Sequence, residues 1–308
     1  MKQRLDYKLF IHSNGKMVRL SFCIIMLLFT AYSPVIAQKK VTKGKYFLAV
    51  NFSIPFEVLV NDLVLVKGGV DGLAAAENLD AFLTTDGRQK IKIRVFAPNM
   101  EKGGVISPKL LKSLKGAVYQ RDSSKEKLLL SLDFSGQQTA RPSFEQEWTF
   151  DHHSELNYGS LKNAVNLNRM DKQELQKMVL SRFNELRAIL NAGDGTTFMK
   201  IIDKAKHDLF AAERMSVAEQ KAYNENLMGY FDAHKGIMPE IKNYQLRIMG
   251  NGKAVTLENA TAPKGLGVLT AEDKKDNSRY QNYFILQLPQ HGKQFEVFKY
   301  SLSYTGLD

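Results

Sequence analysis

The hydrophobic pattern changes its period near residue 170, and this change constrains the fold more than any other feature of the sequence. Before it, apolar and polar residues alternate, as in residues 90–95, which read Lys-Ile-Lys-Ile-Arg-Val. Strict alternation predicts antiparallel strands with one buried face and one solvated face. After residue 170, apolar residues recur every three or four positions, which predicts amphipathic helices. The sequence therefore predicts an α+β protein with two unlike halves.

The first half contains seven or eight short apolar or alternating runs between residues 45 and 150. Asn61-Asp62 and Asp86-Gly87 supply the turn chemistry between them. Residues 110–114 are the one stretch that fits a helical turn. This spacing predicts an N-terminal antiparallel β-sandwich over residues 38–150, with Trp148 as an anchor of its core.

The second half begins with three predicted helices. The first starts at Asp171 and the third at Ser216, each with a Glu three residues later, which is a capping-box arrangement. The second begins near residue 196 and continues through Phe210. Residues 151–170, rich in Asn, Ser and His, are interpreted as a linker between the halves.

Strands return after the helices. Asn251-Gly252 is the strongest hairpin signal in the chain, and residues 283–288 and 295–304 form the last predicted pair. In a regular final strand Phe298, Tyr300 and Tyr304 share one face, where they either pack in a core or line a cavity under the helices. Residues 171–308 are thus predicted to form a three-helix plus antiparallel-sheet domain.

This order of elements, over roughly residues 170–305, resembles the nuclear-transport-factor-2-like (NTF2-like) cone fold, in which helices close over a curved sheet. The resemblance rests on element order, and no catalytic residue of that family maps onto this chain. The whole sequence also resembles exported two-domain proteins of unknown function from Bacteroidota. It implies an exported protein and names no reaction.

The first 37 residues have the three parts of a secretory signal peptide. A basic stretch precedes the apolar run 20–32, and Val35-Ile36-Ala37 places small residues before a predicted cut between Ala37 and Gln38. Translation can start at Met1 or at Met17. Cleavage removes the only cysteine together with five Lys or Arg and one Asp, which lowers the formal charge from +11 to +7. We expect a thiol-free protein in the periplasm or secreted, and not an integral membrane protein after cleavage.

Two groups of residues carry the chemistry that catalysis or metal binding needs. Residues 151–155, Asp-His-His-Ser-Glu, are the densest set of metal-ligand types, but adjacent histidines in a strand point to opposite faces. His207-Asp208 suits general acid–base work, although a structural role is the simpler interpretation. No nucleophile elbow or phosphate-binding loop occurs. We therefore expect no metal and no cofactor, and the catalytic residues, if any exist, are unknown.

Lys90, Lys92 and Arg94 form a basic stripe on one face of a predicted strand. Such a stripe suits an anionic envelope component or an acidic envelope protein. It also suits a simpler role as a solvated face that discourages edge pairing. Nucleic acid is not expected as a partner of an exported protein.

The sequence is compatible with three functions. The first is a non-enzymatic, soluble periplasmic binding or assembly protein. The second is a small-ligand-binding or hydrolytic pocket protein that uses the C-terminal half. The third is a periplasmic immunity protein against an exported toxin. The second requires a concave pocket between the helices and the sheet, and fails if apolar side chains fill that space.

Overall fold

The computed structural model describes residues 44–68, 76–122, 125–134, 136, 138–152, 159–261 and 265–306. The predicted signal peptide, residues 1–37, lies outside the described residues. Within them the chain is an α+β protein with five α-helices and three antiparallel sheets.

The N-terminal half consists of eight strands and one short helix, as the alternation predicts. The strands are β1 Lys45–Asn51, β2 Phe56–Val60, β3 Leu63–Gly68, β4 Glu77–Asn78, β5 Gly87–Phe96, β6 Lys115–Arg121, β7 Glu126–Leu132 and β8 Ser143–His152, with helix α1 Pro108–Ser113 between β5 and β6. One sheet has the order β4-β1-β6-β7 and the other β3-β2-β5-β8.

The two sheets share one hydrophobic core, which makes them a sandwich. Ile91, Ile93 and Val95 of β5 are fully buried in this core, whereas the residues between them are exposed or half-buried. Trp148 packs its edge against Phe134 with ring centroids 5.0 Å apart. Trp148 is thus half-buried against the edge of the sandwich core, and its role as an anchor of that core stays a prediction.

Four helices follow where the spacing predicts three. They are α2 Lys172–Ala192, α3 Gly195–Ile201, α4 Asp203–Glu213 and α5 Val217–Asp232. The predicted second helix is broken at Ile202, whose backbone (φ −91°, ψ 5°) leaves the helical region. Ile202 is nevertheless completely buried, so its apolar side chain continues the helical pattern and hides the break from the sequence.

Side-chain caps fix the start of three of these helices, and the cap of α3 is Asp194, which accepts a hydrogen bond from the N–H of Thr197. Asp171 accepts hydrogen bonds from the backbone N–H groups of Gln173 and Glu174, which caps α2. Ser216 and Glu219 form a complete capping box at α5, as predicted.

The C-terminal sheet has five strands, β9 Tyr244–Met249, β10 Ala254–Asn259, β11 Ala271–Asp273, β12 Ser278–Gln287 and β13 Glu296–Gly306. β12 is central, because it pairs with β13 along one edge and with β10 and β11 along the other. The predicted hairpin joins β9 to β10, with Asn251 and Gly252 at positive φ (54° and 86°).

The final strand departs from the regular alternation predicted for its aromatic residues. Ile285 pairs with Lys299, whereas the next residue of β12 pairs with Val297, so Phe298 is an extra residue in a β-bulge. Phe298 therefore packs on the face toward the sandwich. Tyr300 and Tyr304 pack on the helix face. The prediction that all three share a face is wrong, because the extra residue of the bulge reverses the face to which alternate side chains of the strand point.

Residues 159–170 follow the surface of the C-terminal sheet. The N–H of Val165 donates to the carbonyl of Leu288 at 2.8 Å, and the N–H of Leu167 donates to the carbonyl of Gly252 at 2.7 Å. Leu167 is buried in the core under the helices. This part of the predicted linker is therefore fastened to the second half.

None of the helices in the described part of the chain is both long enough and apolar enough to cross a membrane.

Candidate functional site

The sandwich and the C-terminal sheet meet in an apolar seam. Leu59, Leu63 and Val64 of the sandwich pack there against Ile285 and Phe298 of the C-terminal sheet. A second contact brings Ala81 and Phe82 against Leu209 and Ala212 of α4. The seam is also where ionisable residues of the two halves come together, so it is the first candidate for a functional site.

Four charged side chains form a compact cluster in this seam, which we name the seam ion cluster: Glu57, Lys67, Arg247 and Glu258. Arg247 holds Glu57 at two points, with Nη1–Oε1 at 2.5 Å and Nη2–Oε2 at 2.9 Å. Nη1 of Arg247 also lies 2.9 Å from Oε1 of Glu258, and Nζ of Lys67 lies 2.7 Å from the same oxygen. The Tyr283 hydroxyl donates to Glu258 at 2.5 Å.

Burial and pairing shift the pKa values of the two carboxylates of the cluster in opposite directions. Burial alone raises the pKa of Glu57, but hydrogen bonds and charge from Arg247 and Lys67 outweigh it and the pKa lies below its usual value. The pKa of Glu258 is lowered in the same way, against its burial, by Lys67 and Arg247. Both acids are held as carboxylates between two cations, so the cluster is an internally compensated unit.

A cleft of about 70 Å³ lies next to the seam ion cluster. It is lined on the sandwich side by residues 64–67 and on the other side by residues 265–267, 281–283, 301 and 303. That volume corresponds to about two water molecules at ~30 Å³ each. The cleft therefore has room for solvent or a single small ion.

A second polar group of the seam contains two carboxyls, those of Asp80 and Glu213, which are near enough for the charge of one to affect the other. Glu213 at the end of α4 accepts hydrogen bonds from Asn78 at 2.5 Å and from Lys45 at 3.4 Å. Burial raises the pKa of Asp80 to about 7, and the negative charge of Glu213 raises it further, while a hydrogen bond from the N–H of Tyr46 acts against both. Burial also raises the pKa of Glu213. Asp80 thus changes charge near neutral pH within a contact between the halves.

The space between the helices and the C-terminal sheet is a packed core. Twenty-five buried residues occupy it, including Phe183, Phe198, Phe231 and Phe284. Its main polar element is His234, which is fully buried. Its Nδ1 lies 2.8 Å from the Tyr230 carbonyl, and its Nε2 lies 2.8 Å from Nδ2 of Asn282.

The partners of His234 define a neutral imidazole. An N–H on Nδ1 donates to the Tyr230 carbonyl, which leaves Nε2 as the acceptor for the amide of Asn282. Burial lowers the pKa of His234 to about 4, against hydrogen bonds to the backbone of Tyr230 and Phe231. This arrangement is a buried structural hydrogen-bond pair, and the filled core around it weakens the pocket hypothesis for this half.

The predicted basic stripe lies beside acidic residues of its own sheet. Lys90 Nζ is 2.8 Å from Glu147 Oε1, Lys92 Nζ is 3.3 Å from Glu145 Oε1, and Arg94 pairs with Glu145 on β8. Arg94 also reaches Glu57 of the seam ion cluster, with Nη1–Oε2 at 3.3 Å. These carboxylates compete with any anionic partner, and binding of such a partner at the stripe stays a prediction.

The other predicted candidates are separated in the fold. His207 is exposed and contacts Asp203, with its Nδ1 2.9 Å from the carbonyl, whereas Asp208 faces Lys299. His152 is buried, with Nδ1 3.1 Å from the Thr85 carbonyl, and residues 153–155 of the metal-ligand group lie outside the described residues. The described residues include no group of three or more His, Asp or Glu side chains that could hold a metal ion.

The sequence reasoning missed the seam ion cluster. Strict alternation would put a polar residue such as Glu57 on a solvated face, yet all five residues of β2 are buried. A signal was present, because Glu57 and Arg247 are each a charged residue between two apolar neighbours. Such residues are rarely buried unless they are paired. What the sequence does not reveal is which of them pair.

Comparisons of this chain with protein-family models, with curated proteins and with solved structures find no significant match. The likeness to the NTF2-like fold therefore rests on element order and stays a prediction.

Proposed function

We propose that this chain is an exported, soluble periplasmic binding or assembly protein that works without catalysing a reaction. The signal-peptide pattern of residues 1–37 supports export. The formal charge of +7 after cleavage suits an anionic envelope protein or surface as partner. A β-sandwich joined to a helix-and-sheet half is an architecture that many binding proteins use, which supports the proposal by analogy.

The observation that supports this proposal most directly is that the charged residues of the seam ion cluster are paired with each other. All four of these residues are engaged in this way, since Glu57 and Glu258 are each paired with Arg247 and Lys67. The space under the helices is filled by apolar side chains. What the two halves then offer a partner is the outer surface that spans both of them.

Export is tested by the mature N-terminus. Mass spectrometry of protein released from the periplasm by osmotic shock is expected to find a chain that begins at or next to Gln38. A full-length chain retained in the cell pellet contradicts export. The Ala37→Leu variant, which replaces the small residue before the cut, is expected to accumulate as the precursor.

Binding is tested by affinity capture from the envelope of the producing cells. The wild-type chain is compared with Arg247→Met, which opens the seam ion cluster, and with Arg279→Met, which breaks an exposed pair with Glu272. A partner captured by the wild type and by Arg279→Met, but not by Arg247→Met, supports a surface spanning both halves. Capture of a cognate toxin points instead to the immunity function, and turnover of a small substrate without a partner points to the pocket function.

A further inference from the structure

Lys299 of β13 is a buried lysine. The residue is 5% exposed, and its Nζ has no hydrogen-bond partner among the residues that the structure describes. The β-bulge at Phe298 sets its direction, because Lys299 pairs with Ile285 and both therefore face the seam. An unpaired ammonium in such a place is costly, so the position calls for an explanation.

Gly159 and Asp208 flank this amine. A Cβ atom built on Gly159 would lie 2.6 Å from Nζ of Lys299 and 3.3 Å from Oδ2 of Asp208. The amine and the carboxylate thus converge on the backbone of Gly159, where any side chain would collide with the amine. The ring of Phe298, 5.0 Å from Nζ, provides an apolar wall.

The surroundings favour the neutral form of the amine. Burial lowers the pKa of Lys299 to about 8, and the negative charge of Asp208 opposes this only in part. An amine with that pKa is neutral at pH 7 about 200-fold more often than an ordinary lysine. Neutral, desolvated lysines are the nucleophiles that attack carbonyl groups.

We propose that Lys299 is a carbonyl-binding residue that forms a reversible imine with a small neutral aldehyde or ketone. The lone pair of Nζ attacks the carbonyl carbon, and one amine proton passes to the carbonyl oxygen to give a carbinolamine. The hydroxyl of the carbinolamine then leaves with the second amine proton as one water molecule, which gives the imine. Asp208 is placed to receive and return the proton. Its negative charge also disfavours an anionic ligand at this position, which is why a neutral carbonyl compound is the class inferred.

The test is reductive trapping in the intact, folded protein. Acetaldehyde at less than one equivalent and cyanoborohydride convert an imine into a stable N-ethyl lysine, which peptide mass spectrometry locates. We expect Lys299 to be labelled at least tenfold faster than Lys221, whose side chain is 78% exposed. The rate at Lys299 is expected to rise with a midpoint near pH 8.

Two variants separate the site from general lysine chemistry. Lys299→Met is expected to remove the fast label and leave labelling of exposed lysines unchanged. Gly159→Ala, whose methyl group would lie 2.6 Å from Nζ and so displace it, is expected to slow labelling at Lys299. The proposal is overturned if Lys299 of the wild type stays unmodified, or reacts no faster than Lys221. This result is independent of the envelope partner, so either proposal can fail alone.

Discussion

Arg247 of β9 and Glu57 of β2 stand 190 positions apart in the chain, yet they form a two-point ion pair at 2.5 and 2.9 Å across the seam between the halves. Glu57 is 5% exposed, so the pair is largely shielded from solvent. A buried carboxylate that loses its cation is much more costly than an exposed one. The pair therefore makes the relative position of the two halves sensitive to single substitutions.

Arg247→Met is expected to lower the free energy of unfolding by about 3 kcal/mol. The variant leaves Glu57 and Glu258 buried with Lys67 as their nearest remaining cation inside the cluster. Urea unfolding at pH 7 measures the change. The matched control, Arg279→Met, breaks an exposed pair with Glu272 and is expected to cost less than about 1 kcal/mol. Equal losses in both variants would show that the buried pair in the seam ion cluster stabilises the fold no more than an exposed pair does.

Asp80 is expected to make the protein less stable as the pH rises toward neutrality. Its pKa is about 7 in the folded chain against an ordinary value of 3.8, so the folded state favours the protonated acid. The stability from this group is complete below pH 3.8 and is lost as the pH rises through 7. Asp80→Asn keeps an acceptor for the N–H of Tyr46 and removes the charge.

The comparison of Asp80→Asn with the wild type at two pH values isolates this effect. At pH 8 the variant is expected to be more stable than the wild type, on the order of 1–3 kcal/mol, and at pH 4 the two should nearly coincide. Asp276→Asn, at an exposed aspartate, is the control. A constant difference between Asp80→Asn and the wild type from pH 4 to pH 8 contradicts the prediction.

His234 is expected to make the protein less stable as the pH falls, whereas Asp80 makes it less stable as the pH rises. Its pKa is about 4 in the folded chain against 6.5 ordinarily, so the folded state favours the neutral ring. The stabilisation is present above pH 6.5 and is lost as the pH falls toward 4.

The variant His234→Gln removes this dependence on pH. It is expected to be about 2 kcal/mol less stable than the wild type at pH 7, because the ring packs against Tyr230 and Tyr280. The difference should shrink as the pH falls to 4.5, in thermal melts of both proteins. His207→Gln, at an exposed histidine, is the control. If the difference grows on acidification, His234 is not buried as a neutral ring.

The strands of the sandwich and most of the helix limits could be predicted because they depend on local patterns. Alternation in residues 90–95 identified the buried face of β5, and Asn251-Gly252 identified the hairpin. Asp171 and Ser216 marked helix starts through their own backbone contacts. Each of these signals acts within a few residues, so one sequence contains it in full.

The seam could not be predicted, because it depends on pairs that are distant in sequence and on small departures from regular geometry. Glu57 reads as a solvated residue until Arg247 is known to face it. The bulge at Phe298 leaves no sequence signature, yet it reverses the faces of the last strand and turns Lys299 into the seam. The break at Ile202 has no sequence signature either, because a buried isoleucine is compatible with a continuous helix and with a break between two helices.

The basic stripe is expected to bind polyanions weakly as long as its acidic neighbours are present. Lys90 and Lys92 lie 2.8 and 3.3 Å from Glu147 and Glu145, so a polyanion must displace or tolerate these carboxylates. Glu145→Gln/Glu147→Gln is therefore expected to raise the salt concentration needed for elution from heparin, whereas Lys90→Gln/Lys92→Gln changes it little. Exposed charges are screened within about 8 Å at physiological salt, so the effect should shrink as salt is added. The reverse result, in which the wild type binds firmly and loss of the two lysines releases it, identifies the stripe as an anion-binding surface that works despite its carboxylates.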